Sequence, residues 1–148
     1  MKPLAIALML FVSHPVEAKP LAWYLVKVAH HYEVPLPLLG AIIRAESSGR
    51  QWAQSRRDDG RIIARGLMQI SVQYEADLVA QFLGWHPSHF QWFNPLHSVT
   101  LGCAYLADLI RRFGTFGAVA SYNCGPGRWM SERPLPRETQ KYLRKVFG

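Results

Sequence analysis

Apolar residues recur at helical spacing along most of the chain, and in one place that period breaks. Leu21, Leu25, Val28 and Ala29 form a stripe that predicts a helix over Leu21–Tyr32, which stops before Val34-Pro35. A second helix follows at once. Pro37 suits its first turn, and Leu38, Leu39, Ile42, Ile43 and Ala45 cover so broad a surface that the helix belongs in a core. It ends at Glu46-Ser47-Ser48-Gly49, where Gly49 is the expected left-handed stop.

From Arg56 to Arg65 the pattern changes. Asp59-Gly60 reads as a two-residue hairpin turn, and Ile62-Ile63 favours extended structure, so a small β-ribbon is expected here. Gly66-Leu67-Met68-Gln69-Ile70 returns the chain to the core, and residues 74–82 predict a helix with Leu78, Val79 and Phe82 inward. After a polar and aromatic connection over 84–95, Ser98 is the expected N-cap of a helix carrying Val99, Cys103, Leu106, Leu109 and Ile110. Arg111-Arg112 and Gly114 close it. A short buried helix over 116–123 is broken by Gly125-Pro126-Gly127, and Pro136 starts a last helix through Glu138, Tyr142 and Val146. This order describes a mostly α single domain with one small β-ribbon.

Composition narrows what such a domain can do. At 148 residues and 49% hydrophobic, the chain has material for one core and no more. No apolar run approaches the roughly 20 residues of a membrane span, so no stable membrane insertion is expected. A net charge of +7 suits a polyanion: nucleic acid, an anionic membrane surface or a cell-wall polymer. The first residues choose among these. Lys2 precedes the apolar run over 4–12, Pro3 and Pro15 bracket it, and Val16-Glu17-Ala18 offers small residues to a signal peptidase. Residues 1–18 are therefore expected to be a cleaved signal peptide and 19–148 the exported domain, periplasmic and without a nucleic-acid partner; a buried N-terminal helix is the alternative.

Cys103 and Cys124 lie about equally far from Gly114, so an antiparallel helix hairpin would bring them level. A disulfide between them and two buried thiols are both open. The histidines of residues 19–148, His30-His31, His86, His89 and His97, have no zinc-like spacing, and no metal is expected. Trp52 and Trp129 are candidates either for stacking on a sugar ring or for packing.

Glu46 is the candidate for the chemistry. A carboxyl at the C-terminal end of an apolar helix meets the negative end of the helix dipole and partial desolvation, and both keep it protonated near neutrality. It is the only acidic residue between Glu33 and Asp58, and so the best candidate for a general acid. Pairing of Glu46 with Arg44 or Arg50 on an exposed helix end is the competing reading.

The surrounding motifs are Glu46-Ser47-Ser48, then Ala53 and Ser55, Gly66-Leu67-Met68-Gln69-Ile70, Tyr122-Asn123 before Gly125-Pro126-Gly127, and Glu138-Thr139 with Tyr142. In this order they resemble the soluble lytic transglycosylases, peptidoglycan-cleaving enzymes with a goose-lysozyme-like fold. The resemblance implies that Glu46 protonates the oxygen between N-acetylmuramic acid and N-acetylglucosamine. The substrate's own N-acetyl group would replace a second carboxylate, and no cofactor would be needed. It implies further that Ser55 holds that N-acetyl group, that Gln69 binds sugar, and that the Tyr122 hydroxyl touches the catalytic Glu. Asn123 is a substrate-binding or helix-capping residue, and Tyr142 a glycan-subsite or core residue. Small size and the Asp59-Gly60 insertion resemble the specialised members that accompany secretion and conjugation machines, so components of such an apparatus are expected partners of a monomeric enzyme. Ser98, Ser121, Cys124 and Arg65 depart from the family pattern; Arg65 could alter subsite charge.

A muramidase acting on the same bond is the alternative within the enzyme class. It is disfavoured by the lack of an evident acidic partner, since Asp58 and Asp59 fall on a turn. A non-catalytic peptidoglycan-binding scaffold is the alternative outside it, and simple binding would not require the acid.

Overall fold

A computed structural model describes residues 19–148; the expected signal peptide lies outside them. Helix α1 (Leu21–Tyr32) and helix α2 (Leu36–Ser47) form as the apolar stripes predict, each preceded by a proline. The left-handed turn that ends α2 begins one residue earlier than expected, at Ser48 (φ 55°), with Gly49 continuing it.

The β-ribbon is a three-stranded antiparallel sheet in the order β1 (Gln54–Arg56), β2 (Ile62–Arg65), β3 (Ile70–Ser71). Gln54 pairs with Arg65 and Ser55 with Ala64, and Arg65 pairs in turn with Ile70. The third strand is too short for periodicity to reveal. The connection from β1 to β2 is longer than a two-residue turn. Arg57 donates its N–H to the Arg61 carbonyl at 2.9 Å and accepts from the Gly60 N–H at 2.9 Å. Gly60 at φ 83° supplies the left-handed step that such a three-residue loop needs.

The helix predicted over 74–82 is one α turn, α3 (Glu75–Leu78), continued by a π turn over Val79–Leu83. Helix α4 (Pro95–Cys124) joins two expected helices across non-helical dihedrals at Gly114. Its N-cap is Asn94, whose Oδ1 accepts from Leu96 and His97, and not Ser98. Ser98 is buried one turn inside the helix, and its hydroxyl accepts the Met68 N–H at 3.1 Å. Pro126 does more than break a helix, because it opens α5 (Pro126–Met130), and α6 (Arg137–Phe147) completes the chain.

The core lies around the first half of α4, where Val99, Leu101, Leu106 and Leu109 are fully buried with Leu39, Ile42 and Met68. Helix α1 packs on α4, and α6 packs on both α4 and α2. Cys103 and Cys124 remain free thiols, so the pairing considered from the sequence is not formed. The Cys103 sulfur faces the Val28 carbonyl of α1, whereas that of Cys124 turns to the Gly125 carbonyl at its own helix end. Burial pushes the Cys103 thiol up to about 12. No described helix is long and apolar enough to cross a membrane.

Residues 66–69 are the tightest junction between sheet and helices. Gly66 sits at φ 81°, and a Cβ there would fall 2.6 Å from the Trp92 carbonyl oxygen, a backbone atom that cannot swing aside. Gly66→Ala is therefore expected to lower the unfolding free energy by about 2 kcal/mol or more, read from the urea midpoint, with the loss arising from both the dihedral and the clash.

Candidate active site

Glu46 occupies the last turn of α2, and the chain around it is tied down. The buried Ser47 hydroxyl donates to the Ile43 carbonyl at 3.1 Å and accepts the Gly49 N–H, while Arg50 Nε donates to the Ser47 carbonyl. These bonds occupy the groups that a fraying helix end would leave to water. The Glu46 carboxyl is thus delivered from a rigid support.

Helix α6 approaches from the other side. The Tyr142 hydroxyl donates to Glu46 Oε1 at 2.6 Å. Burial pushes the Glu46 carboxyl up to about 7, against the Tyr142 hydrogen bond and the positive charge of Lys145, which both pull it down. Tyr142 is itself 6% exposed and its hydroxyl is driven far above the usual phenol range by burial and by Glu46, so it remains a donor. With Oε1 occupied, Oε2 is the oxygen left to carry the acidic proton. No ion pair joins Glu46 to Arg44 or Arg50 among the described residues.

Tyr122 does not touch Glu46 through its hydroxyl, as the family resemblance implied. That hydroxyl donates to the Met68 carbonyl at 2.9 Å, so Tyr142 is the tyrosine that holds the acid. Tyr142 accordingly stands behind Glu46 as a positioning residue rather than in the walls of the groove. Tyr122 braces the 66–69 loop from α4. From the same loop, Gln69 at φ 50° donates its Nε2 to the Ala53 and Gly66 carbonyls at 3.1 and 2.9 Å, and its Oε1 accepts from the Ser55 hydroxyl at 2.6 Å. The Gln69 amide is therefore committed to holding β1 against the loop. Asn123 is not a helix cap: it lies inside α4, where Oδ1 accepts from the buried Thr139 hydroxyl of α6 at 2.8 Å.

Glu46, Ser55, Gln69, Tyr122 and Asn123 all line one open cavity of about 570 Å³. An adjoining cavity of about 640 Å³ shares Gln69, Ser71, Tyr122 and Asn123, so the two form a groove passing Glu46. Five residues drawn from α2, β1, the 66–69 loop and α4 thus converge, although up to 77 positions separate them.

Glu138 also lines the Glu46 cavity, and sequence reasoning gave it no role. The signal was present: Glu138 lies one turn before Tyr142 on a strongly amphipathic helix. Asp58 and Asp59 do not line the cavity, but Arg57 and Arg61 of the same hairpin do. Arg65 is turned elsewhere. Its guanidinium lies 3.9 Å over the Trp92 ring and 4.0 Å from Glu75, so it is not among the residues lining either cavity. Trp52 is exposed beside Phe93 and Trp129 packs over Gly117; neither lines the groove cavities. His97 and His86 brace the 84–95 connection, accepting the Gln91 and Ser88 N–H groups.

Residues 24–144 match the family described as Transglycosylase SLT domain, and the chain belongs to that family. Solved structures agree on the fold. The 70-kDa soluble lytic transglycosylase of Escherichia coli is 27% identical with a TM-score of 0.70, over 86% of this chain and 23% of that one. The same type of enzyme in complex with bulgecin A is 26% identical with a TM-score of 0.73, over 86% and 23%. An inactive mutant of the lytic transglycosylase Slt from Pseudomonas aeruginosa is 27% identical with a TM-score of 0.69, over 84% and 22%. The chain spans less than a quarter of the length of each, and its architecture is their lysozyme-like fold. No curated protein matches it.

Two measurements test the setting of Glu46. Tyr142→Phe removes a donor to the carboxylate and is expected to move the Glu46 titration upward by about one pH unit, followed by carboxyl ¹³C NMR. Because burial raises the folded value above that of the unfolded chain, the folded state binds more protons between about pH 4.5 and 7. Stability of the parent relative to Glu46→Gln should therefore be greatest below that window and fall as pH rises through it, the change being complete above about pH 7. Glu75, raised by burial to about 7 in both proteins, cancels in this difference.

Proposed function

We propose that this protein is a peptidoglycan lytic transglycosylase that cleaves the β-1,4 bond between N-acetylmuramic acid and N-acetylglucosamine and leaves a 1,6-anhydro-muramic acid end. The observation that carries the reading is Glu46: a carboxyl held protonated up to about pH 7 in the wall of a groove, with a phenol donating to its second oxygen. Membership of the transglycosylase family supports it.

Glu46 Oε2 donates its proton to the glycosidic oxygen as the C1–O bond breaks. The electron demand at C1 is met by the N-acetyl oxygen of the same sugar, as in substrate-assisted glycosidases. Glu46 is then a carboxylate, and Tyr142 stabilises it with a charge-assisted hydrogen bond. The C6 hydroxyl next attacks C1, displaces the acetamide oxygen and returns its proton to Glu46. One bond has broken, one ring has closed, no water is consumed and the acid is reset.

Ser55 and Asn123 are offered to the sugar by their place in the groove, while Gln69 and Tyr122 shape it through their bonds to Ala53, Gly66 and Met68. The +7 charge favours approach to an anionic wall. A signal peptide over 1–18 would place the enzyme in the periplasm. The hairpin inserted before Gly66 supports local wall remodelling during assembly of a secretion or conjugation apparatus.

Glu138 favours a second reading, because a further carboxyl in the Glu46 cavity could activate water and make the enzyme a muramidase. Mass spectrometry of sugars released from purified peptidoglycan separates the two. Anhydro-muramyl ends should form with the parent protein and with Glu138→Gln, and fall by about a thousandfold with Glu46→Gln. Reducing ends that depend on Glu138 would establish the hydrolase, and no Glu46-dependent product would leave a binding scaffold. With the parent, kcat/KM should decline as pH rises past about 7, where Glu46 loses its proton.

A further inference from the structure

Most of a peptidoglycan strand is neutral, built of hydroxyls and acetamides. Each muramyl unit adds one arm that carries carboxylate: a lactyl group, either free or extended by a stem peptide. The cavity that holds Glu46 contains a cation suited to that arm. Arg57 lines it from the loop between β1 and β2. Its backbone is fixed on both sides, by the N–H bond to the Arg61 carbonyl and by the Gly60 N–H bond to its own carbonyl.

The neighbouring arginines are already engaged. Arg56 donates to the Gly60 carbonyl at 2.8 Å and to Gln54 Oε1 at 2.9 Å. Arg61 also lines the cavity, but its charge is offset by Asp59, 2.7 Å away. The Arg57 guanidinium has no hydrogen bond or ion pair among the described residues. Glu138 is a further carboxyl of the same cavity, so an anionic arm entering without Arg57 would meet like charge there.

We propose that Arg57 is a specificity-determining residue that binds the carboxylate carried on the muramyl lactyl arm. The inference rests on the peptidoglycan reading above. It gives the inserted hairpin a task separate from bond cleavage: selecting glycan that bears the anion and setting its muramyl unit over Glu46.

The test uses Glu46→Gln, which retains the groove and blocks turnover, with and without Arg57→Gln. Three soluble glycan oligomers are titrated: one bearing stem peptides, one stripped to the free lactyl carboxylate, and one stripped with that carboxyl converted to a neutral methylamide. Arg57→Gln should weaken binding of carboxylate-bearing glycan about three- to tenfold and close the gap between charged and neutral oligomers. Loss with the stem-bearing oligomer alone assigns the anion to the peptide, loss with the stripped oligomer alone assigns it to the lactyl carboxylate, and loss with both shows that Arg57 takes the carboxylate in either position. Arg111→Gln removes the same charge from the face of α4 where Arg111 meets Asp108, and should leave the gap intact.

Equal loss for all three oligomers, or no loss for any, overturns the proposal. Anhydro-muramyl product formation by the parent protein is read in parallel. Its absence with charge-selective binding retained defeats the catalytic reading and keeps the role of Arg57; product without charge selectivity does the reverse. Failure to bind any oligomer defeats both.

Discussion

The hydrogen bond from the Tyr142 hydroxyl to Glu46 spans 96 positions of sequence and joins the last helix to the end of the second. In its proposed role as the acid, Glu46 needs two conditions that oppose each other. Desolvation must keep its proton on near neutral pH, yet a fully unpartnered carboxylate in the same place would be too costly to form after the proton has left. Tyr142 resolves the conflict because a phenol donates to either state and binds the charged one better. The packing of α6 on α2 and α4 is what brings the phenol there, so the chemistry of Glu46 depends on how the C-terminal helix docks.

That docking is secured by polar bonds as well as by apolar area. Thr139 and Tyr142, one turn apart and both buried, reach Asn123 of α4 and Glu46 of α2. On the opposite wall the 66–69 loop is held from three directions: Ser98 takes the Met68 N–H, Tyr122 donates to the Met68 carbonyl, and Gln69 ties Ala53 to Gly66. Several motif residues thus act on the groove indirectly. They hold its backbone, while Glu46, Ser55, Asn123, Glu138, Arg57 and Arg61 are among the polar groups that line its space.

Such indirect roles explain where reading by resemblance and reading by geometry part. Ser98 resembles an N-cap in sequence because it precedes an apolar stripe, but Asn94 with Pro95 starts the helix one turn sooner and frees Ser98 for a long-range bond. Arg65 resembles a subsite charge because it adjoins Gly66, but strand alternation turns it toward Trp92 and Glu75. Cys103 and Cys124 are placed symmetrically about Gly114, yet each sulfur points to a different neighbour.

Local information was sufficient for what depends on short range. The apolar periods located α1, α2 and α6, Asp59-Gly60 located the hairpin, and the end of an apolar helix made Glu46 a candidate acid. Each follows from residues within one or two turns of each other. Distances across the fold were decided by packing alone: which of two tyrosines meets Glu46, whether Glu138 shares its cavity, and which hairpin arginine is left without a partner. A side chain's partner is set by how whole helices and strands dock, and that arrangement sums many weak contacts that no local stretch of the chain contains.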